Sequence, residues 1–365
     1  MLTAVRRLEP RSHLVGGTVR DLLLGRPLRD LDAVLEQRDV QNVARQVRAA
    51  LGGQLVCHEA FLTCTLTLPN VTLDLTTART ERYTRPGALP TVTPGTLAAD
   101  LFRRDFSVNT FAVALDEPGT LLSVPGAAGD LEHRLLRTLH DRSFFDDPTR
   151  VVRGARLAGR LGFDYDPPTR GALETALAAG VHRSVSPSRL KNELLLTLAE
   201  PRVAPAITHL AASGALGAFY GLPDTPLVAR LDTLRVRAEG DVPDESYLLA
   251  LLLELPGAEA DTFVKTFGLP GRLLAATRRL QKDQADARTL SEQAVARALG
   301  AAVPPDHPRV RGSDVLSLGL PAGPEVGRIL SLVAQARRAG RVASFAEELE
   351  LARRLVYETQ AQEKR

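Results

Sequence analysis

Hydrophobic and polar positions follow two rhythms along this 365-residue chain. Up to about residue 115, short runs of β type alternate with helical stretches. The segments Ser12–Val15, Leu31–Leu35, Phe61–Leu68, Val71–Ala78 and Val108–Leu115 predict strands. The cleanest alternation is VTLDLTTA, where Val71, Leu73 and Leu75 fall on one face and Thr72, Asp74 and Thr76 on the other. From about residue 145 the period lengthens to that of helices, in a sequence rich in Leu, Ala, Arg and Glu. Pro and Gly punctuate this part, and VPPDHP (Val303–Pro308) is the clearest linker candidate. No internal repeat or low-complexity tract stands out. The pattern predicts an α/β head, up to about residue 115, joined to an elongated all-helical region.

Composition narrows the class. Apolar residues at 44% and charged residues at 24% suit a soluble chain long enough for two or three domains with ample core. The longest apolar run, Leu248 to Leu253, stops at Glu254, far short of the ~18–20 residues of a membrane span. No signal-peptide pattern opens the chain. Cys57 and Cys64 are too few for a disulfide scaffold or a cysteine zinc site, so a reducing, cytoplasmic setting is expected. The net charge of +3 is compatible with a polyanionic partner. Arginine greatly outnumbers lysine, which suits bidentate contacts to phosphates and base edges, though a GC-rich genome gives the same bias.

Candidate chemistry begins with LVGGTVRDLLLGRPLRDLDAVL, Leu14 to Leu35. Gly16 and Gly17 end an apolar run and open a helical stretch carrying Arg20 and Asp21. A glycine turn feeding a helix N-terminus cradles phosphate, because its free N–H groups and the helix dipole favour anions. Asp30 and Asp32, two apart on a strand, point to one face and can hold one or two hard divalent cations. Triphosphate plus metal is nucleotidyl-transfer chemistry. The bland alternative is a plain turn and a solvated strand end.

An aspartate in mid-strand is disfavoured by propensity, so Asp74 needs a reason. Paired beside the strand of Asp30 and Asp32 it becomes a third carboxylate, which suits two-metal catalysis. In LFRRDFSVNTFAVAL, Arg103 and Arg104 with Asp105 and Asn109 can bind phosphate or sugar hydroxyls while the aspartate orients a guanidinium; a surface charge cluster is the alternative. In DDPTRVVRGARLAGRLGF, Pro148 opens a helix on which Arg150, Arg153, Arg156 and Arg160 form one stripe, either a solvated face or a binding one. Asp147 and Arg150, i and i+3, present an acceptor beside a donor. That order complements the Watson–Crick edges of cytosine and adenine and leaves polar groups unpaired against uracil and guanine. His140-Asp141 lacks the further ligands of a metal phosphohydrolase.

Taken in order, GGTVRD…LRDLDAV, LDLTTARTE, DLFRRDFSVN, LHDRSFFDDPTRVVRGARLAGRLGF and SPSRLKNELL resemble the class II tRNA nucleotidyltransferases, which comprise CCA-, CC- and A-adding enzymes and bacterial poly(A) polymerases. The likeness covers roughly residues 10–200 and resumes at Arg311–Leu330. It implies an α+β chain with a polymerase-β-like, mixed-sheet nucleotidyltransferase head over residues 1–140, a helical neck with the base-reading motif over 141–200, and an elongated all-helical, tRNA-binding body and tail over 201–365. It implies Mg2+ held by Asp30 and Asp32 with Asp74 as third carboxylate, and Gly17, Arg20 and Arg104 at phosphates and ribose. It places Asp147, Arg150, Arg153 and Arg156 at the nucleotide and its base. Expected partners are the tRNA acceptor arm, CTP and, for an A-adding activity, ATP. A poly(A) polymerase, or a non-catalytic RNA-binding protein on the same scaffold, are the rival readings. Asp146 stands where the family commonly has Glu, and Thr110 and Phe111 replace a small residue and Met. The Pro- and Gly-rich loop between Glu81 and Asp100 looks shorter than in enzymes that add all three nucleotides, which leans toward CC addition.

Overall fold

The protein is described by a computed structural model over residues 1–28, 30–36, 39–223, 225–237, 242, 244–301, 310–321, 323–338, 341–342 and 344–363. The linker candidate Val303–Pro308 lies outside these. Two compact units divide the chain, Met1–Gly221 and Leu222–Arg365.

The first unit begins with α1 (Leu2–Leu8), β1 (Ser12–Val15), α2 (Gly17–Leu23), β2 (Asp30–Leu35), α3 (Val40–Leu51), β3 (Gln54–His58), β4 (Thr63–Leu68) and β5 (Val71–Thr77). A hairpin follows, β6 (Arg79–Arg82) and β7 (Thr91–Pro94), then α4 (Leu97–Phe102), β8 (Ala112–Ala114) and β9 (Leu121–Leu122). Next come α5 (Ala127–Glu132), β10 (Leu135–Leu136), α6 (Ser143–Asp146), α7 (Thr149–Leu161) and β11 (Asp164–Tyr165). Helices α8 (Pro167–Ala178), α9 (Pro187–Leu198), α10 (Val203–Ala212) and α11 (Ala215–Tyr220) complete it.

Seven strands form one mixed sheet in the order β3-β4-β5-β2-β1-β8-β9. Within it only β2 and β5 run parallel, and their register sets Asp32 directly beside Asp74. Helix α3 repeats its apolar residues at helical spacing, so Val40, Val43, Ala44 and Val47 cover one sheet face with Leu35, Leu66, Leu73 and Leu75. Each such side chain contributes about 1.5–3 kcal/mol on burial. Alternation then sends Asp32, Val34 and Asp74 to the opposite face. There α2 and α4 pack through Val19, Leu97 and Leu101 onto Val15, Val34, Phe111 and Ala112.

The predicted strands up to Ala78 are present with ends moved by a residue or two, while Glu59–Phe61 is a 3-10 turn rather than the start of β4. Val108–Leu115 shortens to β8, because Ser107–Asn109 curls into a 3-10 turn. The Asp105 carboxylate accepts from the Phe106 amide and the Asn109 side chain, which ties that curl. Strand β3 escaped prediction since none of its residues is buried. The β6–β7 hairpin escaped because it is largely polar.

A second correction concerns the cysteines. Scarcity argued for a reducing setting, yet Cys57 and Cys64 are cross-strand register partners and form a disulfide. Their Cα atoms are 4.1 Å apart, as directly opposed residues of an antiparallel pair are.

The second unit is helical: α12 (Pro226–Arg237), α13 (Asp244–Leu253), α14 (Gly257–Thr266), α15 (Arg272–Lys282), α16 (Leu290–Ala298), α17 (Gly312–Ser317), α18 (Pro324–Arg338) and α19 (Phe345–Glu363). Helix α13 is buried from Ser246 to Leu252, so its apolar run is a core helix. Among the described residues no helix is long and apolar enough to cross a membrane. The last three helices share a cluster around Val315, Leu320, Ile329, Val333 and Val356.

Candidate active site

The site grows from the turn between β1 and α2. Gly16 has φ +69, a conformation that favours glycine, and its amide donates to the Phe111 carbonyl at 2.9 Å. A Cβ there would collide with Arg104 Nη1, so the bare backbone lets Arg104 lie across the turn toward Asp32. Thr18 clips the turn to β2: its hydroxyl donates to the Asp30 carbonyl at 3.1 Å and accepts from the Asp32 amide at 2.9 Å. One threonine therefore fixes the backbone on which both aspartates sit.

Asp32 is a half-buried acid at the third position of β2. Burial, with Asp74 and Asp30 nearby, pushes its carboxyl up to about 6 against the pull of Arg104 and Arg20. Asp74 accepts from the Thr65 hydroxyl across the β4–β5 pair, and Asp30 is exposed at the first position of β2. The three carboxylates share one end of the sheet without closing into a cage; among the described residues no three acidic, imidazole or thiol groups do.

From the turn, a polar chain runs toward the helices. Arg20 is buried, which lowers its pKa; it is held by Asp21 at 2.8 Å and donates to the Asn109 side-chain oxygen. Asn109 donates to Asp105 at 2.9 Å, and Asp105 pairs with Arg153 of α7 at 2.8 Å. Burial pushes the Asp105 carboxyl up, but Arg153, the Asn109 amide and Arg150 outweigh it and hold it at about 2. Asp105 thus orients an arginine of α7, where the sequence suggested Arg103 or Arg104. Those two are held instead by Asp100, at 2.8 and 3.0 Å, because the helix α4 brings i, i+3 and i, i+4 neighbours together.

At the other end, Asp147 and Arg150 come from the start of α7. Arg150 is buried, donating to the Ser143 hydroxyl at 2.6 Å and the Arg103 carbonyl at 2.8 Å. Asp147 accepts from Thr149 and from Arg189 of α9, the latter at 2.7 Å. Arg156 reaches Glu193 and Glu200, each at 3.5 Å. The arginine stripe of α7 therefore faces inward.

A cleft of about 490 Å³ joins the two ends, lined by Gly17, Arg20, Asp32, Arg104, Asp105, Asn109, Asp147, Arg150, Arg153 and Arg156 among others. Eight arginines line it against four carboxylates, an excess that suits a polyphosphate. Gly16, Asp30 and Asp74 do not line it. The structure adds residues that sequence reasoning passed over: Thr18, Asp100, Glu81, Tyr83 and Arg189. Glu81 accepts from Arg79, Arg103 and Tyr83 at 3.1, 2.8 and 2.9 Å, tying the β6–β7 hairpin to the cleft. Only the motif position of Thr18, directly after the glycine pair, signalled its role.

Residues 12–137 match the Poly A polymerase head domain family. The CC-adding tRNA nucleotidyltransferase of Deinococcus radiodurans is 40% identical over 348 residues, covering 94% of this chain and 89% of that protein. The chain belongs to the tRNA nucleotidyltransferase family. The family's A-adding enzyme of Aquifex aeolicus is 39% identical over 194 residues, which is 53% of this chain and 23% of that one. Among solved structures, the Thermotoga maritima CCA-adding enzyme complexed with tRNA aligns with a TM-score of 0.69 at 23% identity, over 96% of this chain and 93% of that one. At that identity the likeness shows the shared fold: a mixed-sheet head followed by helices.

Proposed function

We propose that this nucleotidyltransferase extends the 3′ end of tRNA with C from CTP, without a template, leaning toward CC addition. The observation that carries the reading is one arginine-lined cleft with Asp32 at one end and the Asp147–Arg150 pair at the other. The CC-adding Deinococcus relative, similar over nearly the whole chain, favours CC over CCA or A addition.

The residues divide the work. The Gly16–Gly17 turn, Arg20 and Arg104 hold the triphosphate, and Asn109 links that end to Asp105 and α7. Asp30, Asp32 and Asp74 offer hard oxygen donors at one end of the sheet, with Asp32 and Asp74 direct register partners, so the set fits Mg2+. When bound, the metal supplies Lewis-acid activation of the tRNA 3′-hydroxyl and neutralises the departing pyrophosphate. Asp147 accepts from the exocyclic amine of cytosine while Arg150 donates to its ring nitrogen and carbonyl. Uracil reverses the pattern and leaves buried groups unpaired. Catalysis is then mainly positioning and charge stabilisation. The helical second unit grips the acceptor arm by shape and phosphate contacts, since A-form RNA hides its base edges. We place the activity in the cytoplasm, where the Cys57–Cys64 link is open to reduction.

Offering tRNA that ends before CCA to the protein with CTP alone, then ATP alone, tests the reading. Addition of C with no A is expected. Long tails from ATP only would make the protein a poly(A) polymerase, and no incorporation at all would leave an RNA-binding protein on an inactive scaffold.

A further inference from the structure

The Cys57–Cys64 disulfide joins β3 to β4 across their antiparallel pairing and closes the turn between them. That turn reaches the active site. Phe61, the last residue of its 3-10 segment, lines the cleft, and its carbonyl accepts from Arg79, which lines the cleft as well. Leu62 follows with φ +52, a left-handed conformation unfavourable for leucine. Its carbonyl accepts from the Thr77 amide of β5 at 3.0 Å. On the far side, Cys64 precedes Thr65, whose hydroxyl donates to Asp74. The link therefore braces a strained turn between a wall of the cleft and the support of a site carboxylate. Its two sulfurs differ in access: Cys64 is 0% exposed in the cluster of Leu66, Leu73 and Leu75, while Cys57 is half-buried on the edge strand. A disulfide formed in the cytoplasm, where we place the activity, is usually catalytic or redox-sensing.

We propose that Cys57–Cys64 is a reversible redox site, reduced by a dithiol and restored by a low-molecular-weight disulfide, whose linked form holds Phe61 for nucleotide binding. A reductant thiolate attacks the accessible Cys57 sulfur, the S–S bond breaks, and Cys64 departs and takes up a proton. The reductant's second thiol then displaces Cys57, leaving two protein thiols and a cyclic disulfide. Two electrons and two protons have passed to the protein. Apolar surroundings disfavour the departing thiolate, so exchange is slow, and the strand register keeps the freed thiols opposed for relinking. The thiol chemistry is independent of the nucleotide; only its effect on CTP rests on the function proposed above.

Thiol counting and mass measurement on the folded full chain come first. No free thiol, at the mass of the linked chain, is expected in oxidised glutathione, and two free thiols in dithiothreitol, since the sequence holds only Cys57 and Cys64. Two free thiols or bound glutathione in the oxidised sample would overturn the proposal. Reduction should speed hydrogen exchange at the Thr77 amide, which the turn protects. It should also raise KM for CTP about fivefold with kcat little changed, the low end of coupling between two sites. Oxidised glutathione should reverse both changes. Cys57→Ser, which cannot form the link, should show the raised KM with or without reductant. Should it fail to fold, Cys64→Ala takes its place under the same expectation. A KM and an exchange rate unmoved by reduction would make the link inert and refute the site. A Cys57→Ser variant that still responds to dithiothreitol would place the effect elsewhere. A chain that takes no CTP would defeat only the proposed function, with the thiol count and Thr77 exchange then deciding the redox site by themselves.

Discussion

The two ends of the cleft are built differently. The phosphate end comes from elements of the sheet-bearing head: the turn after β1, the start of β2, its parallel neighbour β5, and the end of α4. Short-range devices clip parts of it, such as Thr18 bridging to Asp30 and Asp32 and Asp100 holding Arg103 and Arg104, while Arg20 reaches Asn109 from 89 residues away. The base end comes from α6, α7 and α9, and its key contacts span the chain. Arg150 meets the Arg103 carbonyl 47 residues away, and Arg189 meets Asp147 from 42 residues away. The engine is assembled by sheet register, which brings Asp74 to Asp32 from 42 residues away, whereas the reader that decides what the engine adds is assembled by helix packing.

That division yields graded tests. At the phosphate end, Asp32→Ala should cost on the order of 10³-fold in kcat with CTP, because a carboxylate facing the reacting phosphate is lost. Single-turnover incorporation checks this; an unchanged rate would remove Asp32 from catalysis. Thr18→Val keeps the shape but deletes both hydroxyl bonds that set the β2 backbone. A tenfold loss in kcat, about 1.4 kcal/mol, is expected, with CTP-over-UTP selectivity intact. A changed selectivity would blur the separation of the two ends.

The smallest effect lies between the ends. Asp105→Asn removes the charge that faces Arg153, whose side chain keeps 42% exposure. About 1–2 kcal/mol of stability should go at pH 7, a modest figure because solvent screens the arginine. The folded carboxyl is held at about 2, below its ordinary 3.8, so the stabilisation is full above pH 3.8 and disappears as pH falls through about 2. Denaturant melts of both proteins between pH 7 and pH 2 should converge at the acidic end. A constant gap would assign the effect to packing.

Legibility in the sequence follows the same line. Asp74 could be found because a polar residue interrupts a period-two strand, and the sheet register then set it beside Asp32. Gly16 could be found because a glycine pair ends an apolar run. Asp105 was legible as a functional residue but not in its partner, since nothing local distinguishes Arg104, one residue before it, from Arg153 on a distant helix. Glu81 and Arg189 carry no periodic signature, being charges in or beside loops whose partners depend on how the hairpin folds back. Strand β3 stayed hidden because its residues are not fully buried, and pattern reads burial. The cysteines misled by number, since two are enough when register opposes them.

The most direct test sets the two ends against each other in one measurement, the CTP-over-UTP ratio of kcat/KM for Arg104→Ala and Asp147→Ala. Arg104→Ala should lower kcat/KM for both nucleotides about equally, on the order of 10²-fold, leaving the ratio as in the wild type. Asp147→Ala should bring the ratio close to one. A ratio that falls with Arg104→Ala and survives Asp147→Ala would contradict the assignment of base reading to the α7 end of the cleft.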